Sequence, residues 1–240
     1  MKPEITRKII ALNHQFYQSF AGEFSETRGR LQPGVLKLLG TFPSRIKILD
    51  LGCGNGELAR QLTRSDFRGT YHGTDFSSNL LEEAIRKVPD QVQVSFTRLD
   101  LTEPDWNKVL PREAFDLVLC FAALHHIPSH PGRLSVCKNI RKVISDTGQI
   151  QISNWQFLKS ERLKKRIIPW EEAGLTKDDV DQGDYLLDWR RGGYGLRYIH
   201  HFNPEELSLL ADESCFRIVE SFDSDGKEGN LSLYQVWEPV

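Results

Sequence analysis

The chain has one methionine and four cysteines in 240 residues, and no two of the cysteines form a C-x-x-C pair. Cys53, Cys120, Cys137 and Cys215 are widely spaced, which speaks against a zinc site, so no metal is expected. Cys120 lies in an apolar run and reads as a small packed hydrophobe. No apolar stretch approaches the roughly 20 residues of a membrane span. The opening residues hold only the four-residue apolar stretch Ile9–Leu12, too short for the core of a signal peptide. A reducing cytoplasm is the expected compartment. Excess charge is also missing. The net charge is −2, so no global basic field draws nucleic acid, although a local patch would suffice. Repeats and low-complexity tracts are absent. With 39% hydrophobic and 27% charged residues, the composition is that of an ordinary soluble protein, and residues 1–240 are read as one domain.

The most informative segment is IKILDLGCGNGEL, residues 46–58. The apolar run Ile46 to Leu51 is a short buried strand by its length and flanks. It breaks into Gly52, Gly54 and Gly56, which permit positive φ and let a ligand approach the backbone. A helix starting at Glu57 would leave free N–H groups along the turn. The dinucleotide fingerprint G-x-G-x-x-G requires a glycine at position 57, where this chain has glutamate. Two acids follow at the ends of strand-like runs. Asp75 closes GTYHGTD, where a carboxylate can accept both hydroxyls of a ribose. Asp100 closes VSFTRLD, where it can accept from an adenine amino group.

Strand patterns at 46–51, 70–74, 92–97, 115–121 and 148–154 alternate with helical ones at 57–64, 77–87 and 132–144, and a shorter one at 104–110. This alternation predicts an α/β fold with a doubly wound, mostly parallel sheet. Helices over 4–20 and 33–41 precede it, and residues 1–40 are read as a lid. Residues 156–195 show no clean strand and are read as a substrate-side cap insertion. Regular structure returns at 196–202, in a helix over 205–213, and at 216–222 and 231–238, the last two as an antiparallel pair.

The glycine turn with Asp75 and Asp100 resembles the class I S-adenosylmethionine (SAM) methyltransferases. That resemblance implies a seven-stranded Rossmann-like sheet with an antiparallel C-terminal edge strand, SAM as methyl donor and S-adenosylhomocysteine (SAH) as product. It assigns the methionine end to the backbone of Gly52, Cys53, Gly54, Asn55 and Gly56, and the ammonium to Asp50. Asp75 goes to the ribose and Asp100, with the Leu101 backbone, to the adenine. Phe76 and Phe121 would pack on the adenosine or in the core. Arg28, with Tyr17 beside it, would meet the methionine carboxylate. His125 and His126 stand where the fourth strand meets the ligand, as catalytic or structural side chains.

NHQFYQSFAGEFSETRGRLQPGV (13–35), SNWQ (153–156) and GDYLLDWRRGGYGLRYIHHFNPEEL (183–207) are similar to the tRNA wobble-uridine carboxymethyl methyltransferases. The family's R-Y-Y-H is R-Y-I-H here, and Asp188 stands where an apolar residue or proline is usual. This resemblance implies methyl transfer to the carboxylate of a 5-carboxymethyluridine in tRNA, with a small activator subunit as a further partner. Arg197 would hold that carboxylate, with His200 or His201 nearby. Trp155, Trp189 and Tyr198 would enclose the base or pack the core, and Asp184 would contact substrate or order the cap. Basic runs at 159–166 and 190–191 would meet phosphates or form solvated helix faces. Two other readings stay open: a methyltransferase for a small carboxylate or hydroxyl metabolite, and a SAM-binding protein without transferase activity.

Overall fold

A computed structural model describes residues 1–26, 29–88 and 93–240. Arg28 and the first residue of the 92–97 strand lie outside the described residues. The chain opens with α1 (Pro3–Ser19), α2 (Ala21–Glu26) and α3 (Pro33–Leu39). Strands and helices then alternate through β1 (Lys47–Leu51), α4 (Glu57–Leu62), β2 (Thr70–Asp75), α5 (Ser78–Lys87) and β3 (Val94–Arg98). The stretch expected as a helix at 104–110 is a single 3-10 turn, Trp106–Val109. Next come β4 (Phe115–Phe121), α6 (His130–Val143) and β5 (Ile144–Trp155). A cap holds α7 (Glu161–Lys164), β6 (Ile167–Ile168), β7 (Asp184–Trp189) and β8 (Gly195–His200), and α8 (Pro204–Glu213), β9 (Phe216–Ser224) and β10 (Ser232–Pro239) follow.

The main sheet has seven strands in the order β3-β2-β1-β4-β5-β10-β9. β10 runs antiparallel to both β5 and β9, so the reversed strand lies one place in from the edge. β1 and β4 are apolar on both faces because helices cover both faces. On one side Leu49, Leu51 and Val118 pack with α6 and α8 through Ile140 and Leu210. On the other, Ile48 and Leu119 pack with α3 and α4 through Leu38 and Leu58. The connections reverse direction between β1 and β4, and in open α/β sheets ligands bind outside the carboxyl ends of the strands at such a point.

The segment 156–195 corrects an expectation. It is not strandless, since β7 pairs with β8 in a second, antiparallel sheet, from Asp184 opposite His200 to Trp189 opposite Gly195. Its acids hide the pattern. Asp184 and Asp188 point into the structure, so the apolar–polar alternation that marks a half-buried strand is lost. Helix α1 lies across β8 and buries Ile9, Asn13, Phe16 and Tyr17, which share one helical face. Asn13 substitutes for a strand neighbour there: its Oδ1 accepts from the Tyr198 N–H at 2.8 Å and its Nδ2 donates to the Tyr198 carbonyl at 3.3 Å.

A buried charge network ties this second sheet to α8 and α6. His200, 1% exposed, lies between Asp184 Oδ1 (2.7 Å) and Glu206 Oε1 (2.8 Å). Glu206 also meets Arg133 at 3.2 Å. Burial works against a charged His200, but the hydrogen bonds to Asp184 and Glu206 outweigh it and raise its pKa above 6.5. Because the folded-state pKa is the higher, the pair contributes its full stability below the ordinary histidine pKa. That stability is lost as pH rises through the raised value. We therefore expect His200→Gln to lower the melting temperature more at pH 6 than at pH 9. An equal loss at both would show that His200 is held neutral.

Candidate active site

The strand-to-helix turn after β1 is fitted to its surroundings by its glycines. Gly52 (φ +78°) lies so close to Ala123 that a Cβ would sit 2.9 Å from the alanine methyl, and at Gly56 (φ +73°) a Cβ would sit 2.7 Å from that of Ala84. Four N–H groups of the turn are engaged within the protein, so the donors that a helix start leaves free are those after Gly56, in the first turn of α4. Gly52 and Cys53 both donate to the Thr74 carbonyl at 2.8 Å, Gly54 to Asp75 Oδ2 at 3.0 Å, and Gly56 to the Cys53 carbonyl at 3.2 Å. The turn is braced by β2.

Two cavities open on this turn and share Gly52, Gly54, Ala122 and His126. The smaller, about 110 Å³, is lined by Tyr17, Asp75, Phe76, Asp100 and Leu101, five of the cofactor candidates. The larger, about 320 Å³, is lined by Asp50, Cys53, Asn55, Phe121, His125, Trp155 and Arg197. Phe121 therefore belongs to the larger space and not to the slot with Asp75, Phe76 and Asp100. Arg30, two residues beyond Arg28, lines the larger cavity.

Three carboxylates converge here. Asp50 is buried and accepts from the Tyr71 hydroxyl at 2.5 Å. Burial pushes its pKa to about 7; the Tyr71 hydrogen bond opposes this and the charge of Asp75 adds to it. Burial likewise raises Asp75 to about 6 against the N–H bonds from Ser77 and Gly54. For Asp100 burial is outweighed by His14 and Thr102, and its pKa is lowered.

Arg197, 8% exposed, sets the character of the larger cavity. Its guanidinium carbon lies 5.0 Å from the Trp155 ring, 5.4 Å from Phe16 and 6.0 Å from Trp189, within cation–π reach of all three. Trp189 and Phe16 stand behind the guanidinium, while Trp155 shares the cavity with it. The paired histidines separate in role. His125 is buried and its Nδ1 accepts from the Trp155 N–H at 3.4 Å. His126 Nδ1 faces the Tyr198 carbonyl at 3.2 Å and so must donate, which leaves Nε2 to accept from the Tyr17 hydroxyl at 2.7 Å. His126 therefore stands where the two cavities meet.

Four substrate or catalytic candidates line neither cavity: Trp189, behind Arg197, and three that lie farther off. Tyr198 is fully buried and donates to Asp184 at 2.8 Å, and His200 bonds the same carboxylate. Asp184, Tyr198 and His200 line neither cavity, and their hydrogen bonding joins strands, so they hold the cap together. Asp188 accounts for its own unusual presence by pairing with Arg166 and Arg190. Much of the basic runs is likewise paired, Lys159 with Asp223, Lys164 with Glu161 and Arg191 with Glu26. His14, Tyr71 and Arg30 were missed by sequence reasoning. The one available signal was that His14 precedes Tyr17 by a helical turn.

A family profile described as a methyltransferase domain matches residues 49–150. A protein of Encephalitozoon cuniculi (strain GB-M1) that carries a methyltransferase name is 31% identical over 209 residues, 86% of this chain and 88% of that one. The chain belongs to the class I SAM-dependent methyltransferases. The tRNA (carboxymethyluridine(34)-5-O)-methyltransferase of Arabidopsis thaliana is 29% identical to the enzyme over 64% of this chain and 34% of its own. The enzyme spans about a third to a half of the length of the curated tRNA methyltransferases it matches. The fold agrees with that of a SAM-dependent methyltransferase from Methanosarcina mazei: TM-score 0.65, 18% identity, covering 88% of this chain and 98% of that one.

The residues fit the cofactor. Asp50, Asp75 and Asp100, as carboxylates, only accept hydrogen bonds, and SAM offers them an ammonium, two ribose hydroxyls and an adenine amine. An ammonium at Asp50 favours the ionised carboxylate, so binding below pH 7 releases a proton. We expect SAH affinity to rise with pH from about 5.5, by up to about tenfold per unit, and to level off above about 7. Calorimetry in two buffers of different ionisation enthalpy reads that proton directly. Affinity independent of pH over this range would contradict an ammonium held by Asp50.

Proposed function

We propose that the enzyme methylates the carboxylate of a 5-carboxymethyl-modified uridine at the wobble position of a tRNA. The observation that carries the reading is Arg197, a guanidinium framed by aromatic rings in a cavity that meets the cofactor slot at Gly52, Gly54 and His126. Relatives named for this reaction in Arabidopsis thaliana and Saccharomyces cerevisiae support it.

When bound, SAM supplies an electrophilic methyl on a positively charged sulfur. Everything else falls to the chain's own groups. A carboxylate is already ionised at neutral pH, so no protein base has to remove a proton. The task is orientation, and positioning alone can lower a barrier by several kcal/mol. The planar guanidinium of Arg197 suits a carboxylate in a two-point grip, leaving one oxygen directed at the junction of the cavities. Trp155, beside it, offers a flat face to an unstacked base, as single-stranded RNA recognition requires. His126, fixed by the Tyr198 carbonyl and Tyr17, walls the junction.

The test is incubation with SAM and tRNA bearing 5-carboxymethyluridine, followed by mass spectrometry of the nucleosides. A methyl ester at that nucleoside supports the reading. Esters formed only on small free carboxylates would remove the tRNA from it and keep the Arg197 chemistry.

A further inference from the structure

The ring of His14 on α1 stacks on Phe76, with ring centres 4.7 Å apart and planes inclined by 23°. Its Nε2 lies 3.0 Å from Asp100 Oδ2. A flat nitrogen heterocycle that stacks on Phe76 and bonds Asp100 is what the cofactor reading asks of adenine. The other carboxylate oxygen, Oδ1, already accepts from the Thr102 N–H at 2.8 Å and the Thr102 hydroxyl at 2.7 Å. The oxygen left for an exocyclic amine is therefore the one that His14 holds. The slot, at about 110 Å³, is the smaller of the two connected spaces, and His14 forms part of its wall.

We infer that His14 is a built-in stand-in for adenine: its imidazole occupies the seat of the base, and the cofactor binds by displacing it. The inference rests on assigning Phe76 and Asp100 to the adenine. The helix itself is poorly placed to move. Ile9, Asn13, Phe16 and Tyr17 are buried against the cap, and Asn13 holds both backbone groups of Tyr198. The His14 side chain, 31% exposed, has solvent to swing into without disturbing them. In the absence of cofactor the imidazole keeps Asp100 partnered and the Phe76 face covered. Each of these contacts has to be given up when adenine arrives, so each subtracts from cofactor affinity.

Calorimetric titration of the full chain with SAH tests this. Removing the competitor in His14→Ala is expected to lower Kd by about three- to tenfold, the worth of one hydrogen bond or one ring stack. In the wild-type chain, the His14 ring proton resonances are expected to move on SAH addition as the ring leaves the shielding face of Phe76. An unchanged or weaker affinity in His14→Ala, or His14 resonances that stay in place at saturation, would overturn the inference. Asp100→Asn, made in the His14→Ala background, separates this failure from failure of the adenine assignment. With the competing imidazole removed, weaker SAH binding in His14→Ala/Asp100→Asn than in His14→Ala keeps the assignment. Binding by the double variant as tight as by His14→Ala removes it, and the stand-in with it.

Discussion

Replacing Arg197 by alanine should lower kcat/KM for the carboxylate-bearing acceptor by about a thousandfold, close to 4 kcal/mol, while SAH affinity stays within about twofold. The size follows from the setting. The guanidinium is largely buried among Phe16, Trp155 and Trp189, where a charge-assisted, two-point contact with a carboxylate is poorly screened. The separation of effects follows from the geometry, since Arg197 is absent from the slot with Asp75 and Asp100, where ribose and adenine are expected. Of the cofactor's two ends, it shares the larger cavity with only the methionine end, at Asp50, Cys53 and Asn55, so most of the cofactor's contacts are expected to survive its loss. Arg197→Lys should recover only part of the loss, because an ammonium keeps the charge and loses the planar fork. Steady-state kinetics with calorimetry on the same preparations checks both halves. Normal turnover in Arg197→Ala would assign the acceptor to another group. A matching loss of SAH affinity would place Arg197 in the cofactor site.

The second large effect is expected at Asp75. Asp75→Asn should weaken SAH by about a hundredfold, near 3 kcal/mol, because two ribose hydroxyls lose an ionised acceptor. The protein without cofactor should not suffer in proportion. Burial raises the Asp75 pKa from 3.8 to about 6. A carboxyl with a raised folded-state pKa disfavours the folded state as pH climbs from 3.8 to that value, and the penalty persists above it. Asparagine removes the buried charge but keeps only one acceptor for the Ser77 and Gly54 N–H groups, so the melting temperature at pH 8 is expected to fall only slightly, far less than the loss of SAH affinity would imply. Tight SAH binding by a less stable Asp75→Asn protein would make Asp75 a brace for the turn and nothing more.

What could be read in advance was what local chemistry dictates. A buried apolar strand ending in three glycines has few uses, and its position against Asp75 and Asp100 follows once the strands are parallel and adjacent. The same holds for the histidines after β4, which had to emerge beside the turn because β4 pairs with β1. What escaped depends on contacts between distant segments. The strand β7 was hidden because Asp184 and Asp188 are buried acids, and the partners that make this tolerable come from Tyr198, His200, Arg166 and Arg190. Tyr198 and His200 looked like substrate groups because aromatic and titratable residues beside Arg197 invite that reading. Alternation along β8 turns Arg197 to one face and Tyr198 to the other, and only the structure shows which face meets the cavity. For His14 the helical spacing from Tyr17 was the only hint, since its partners Phe76 and Asp100 are far away in the chain.

A crystal structure of the enzyme with SAH is the most direct measurement. We expect the ribose hydroxyls on the Asp75 carboxylate, the adenine between Phe76 and Asp100 with His14 turned outward, and the sulfur at the Gly52–His126 junction facing the Arg197 cavity. SAH bound outside this groove, or Asp75 directed away from the sugar, would contradict the site described.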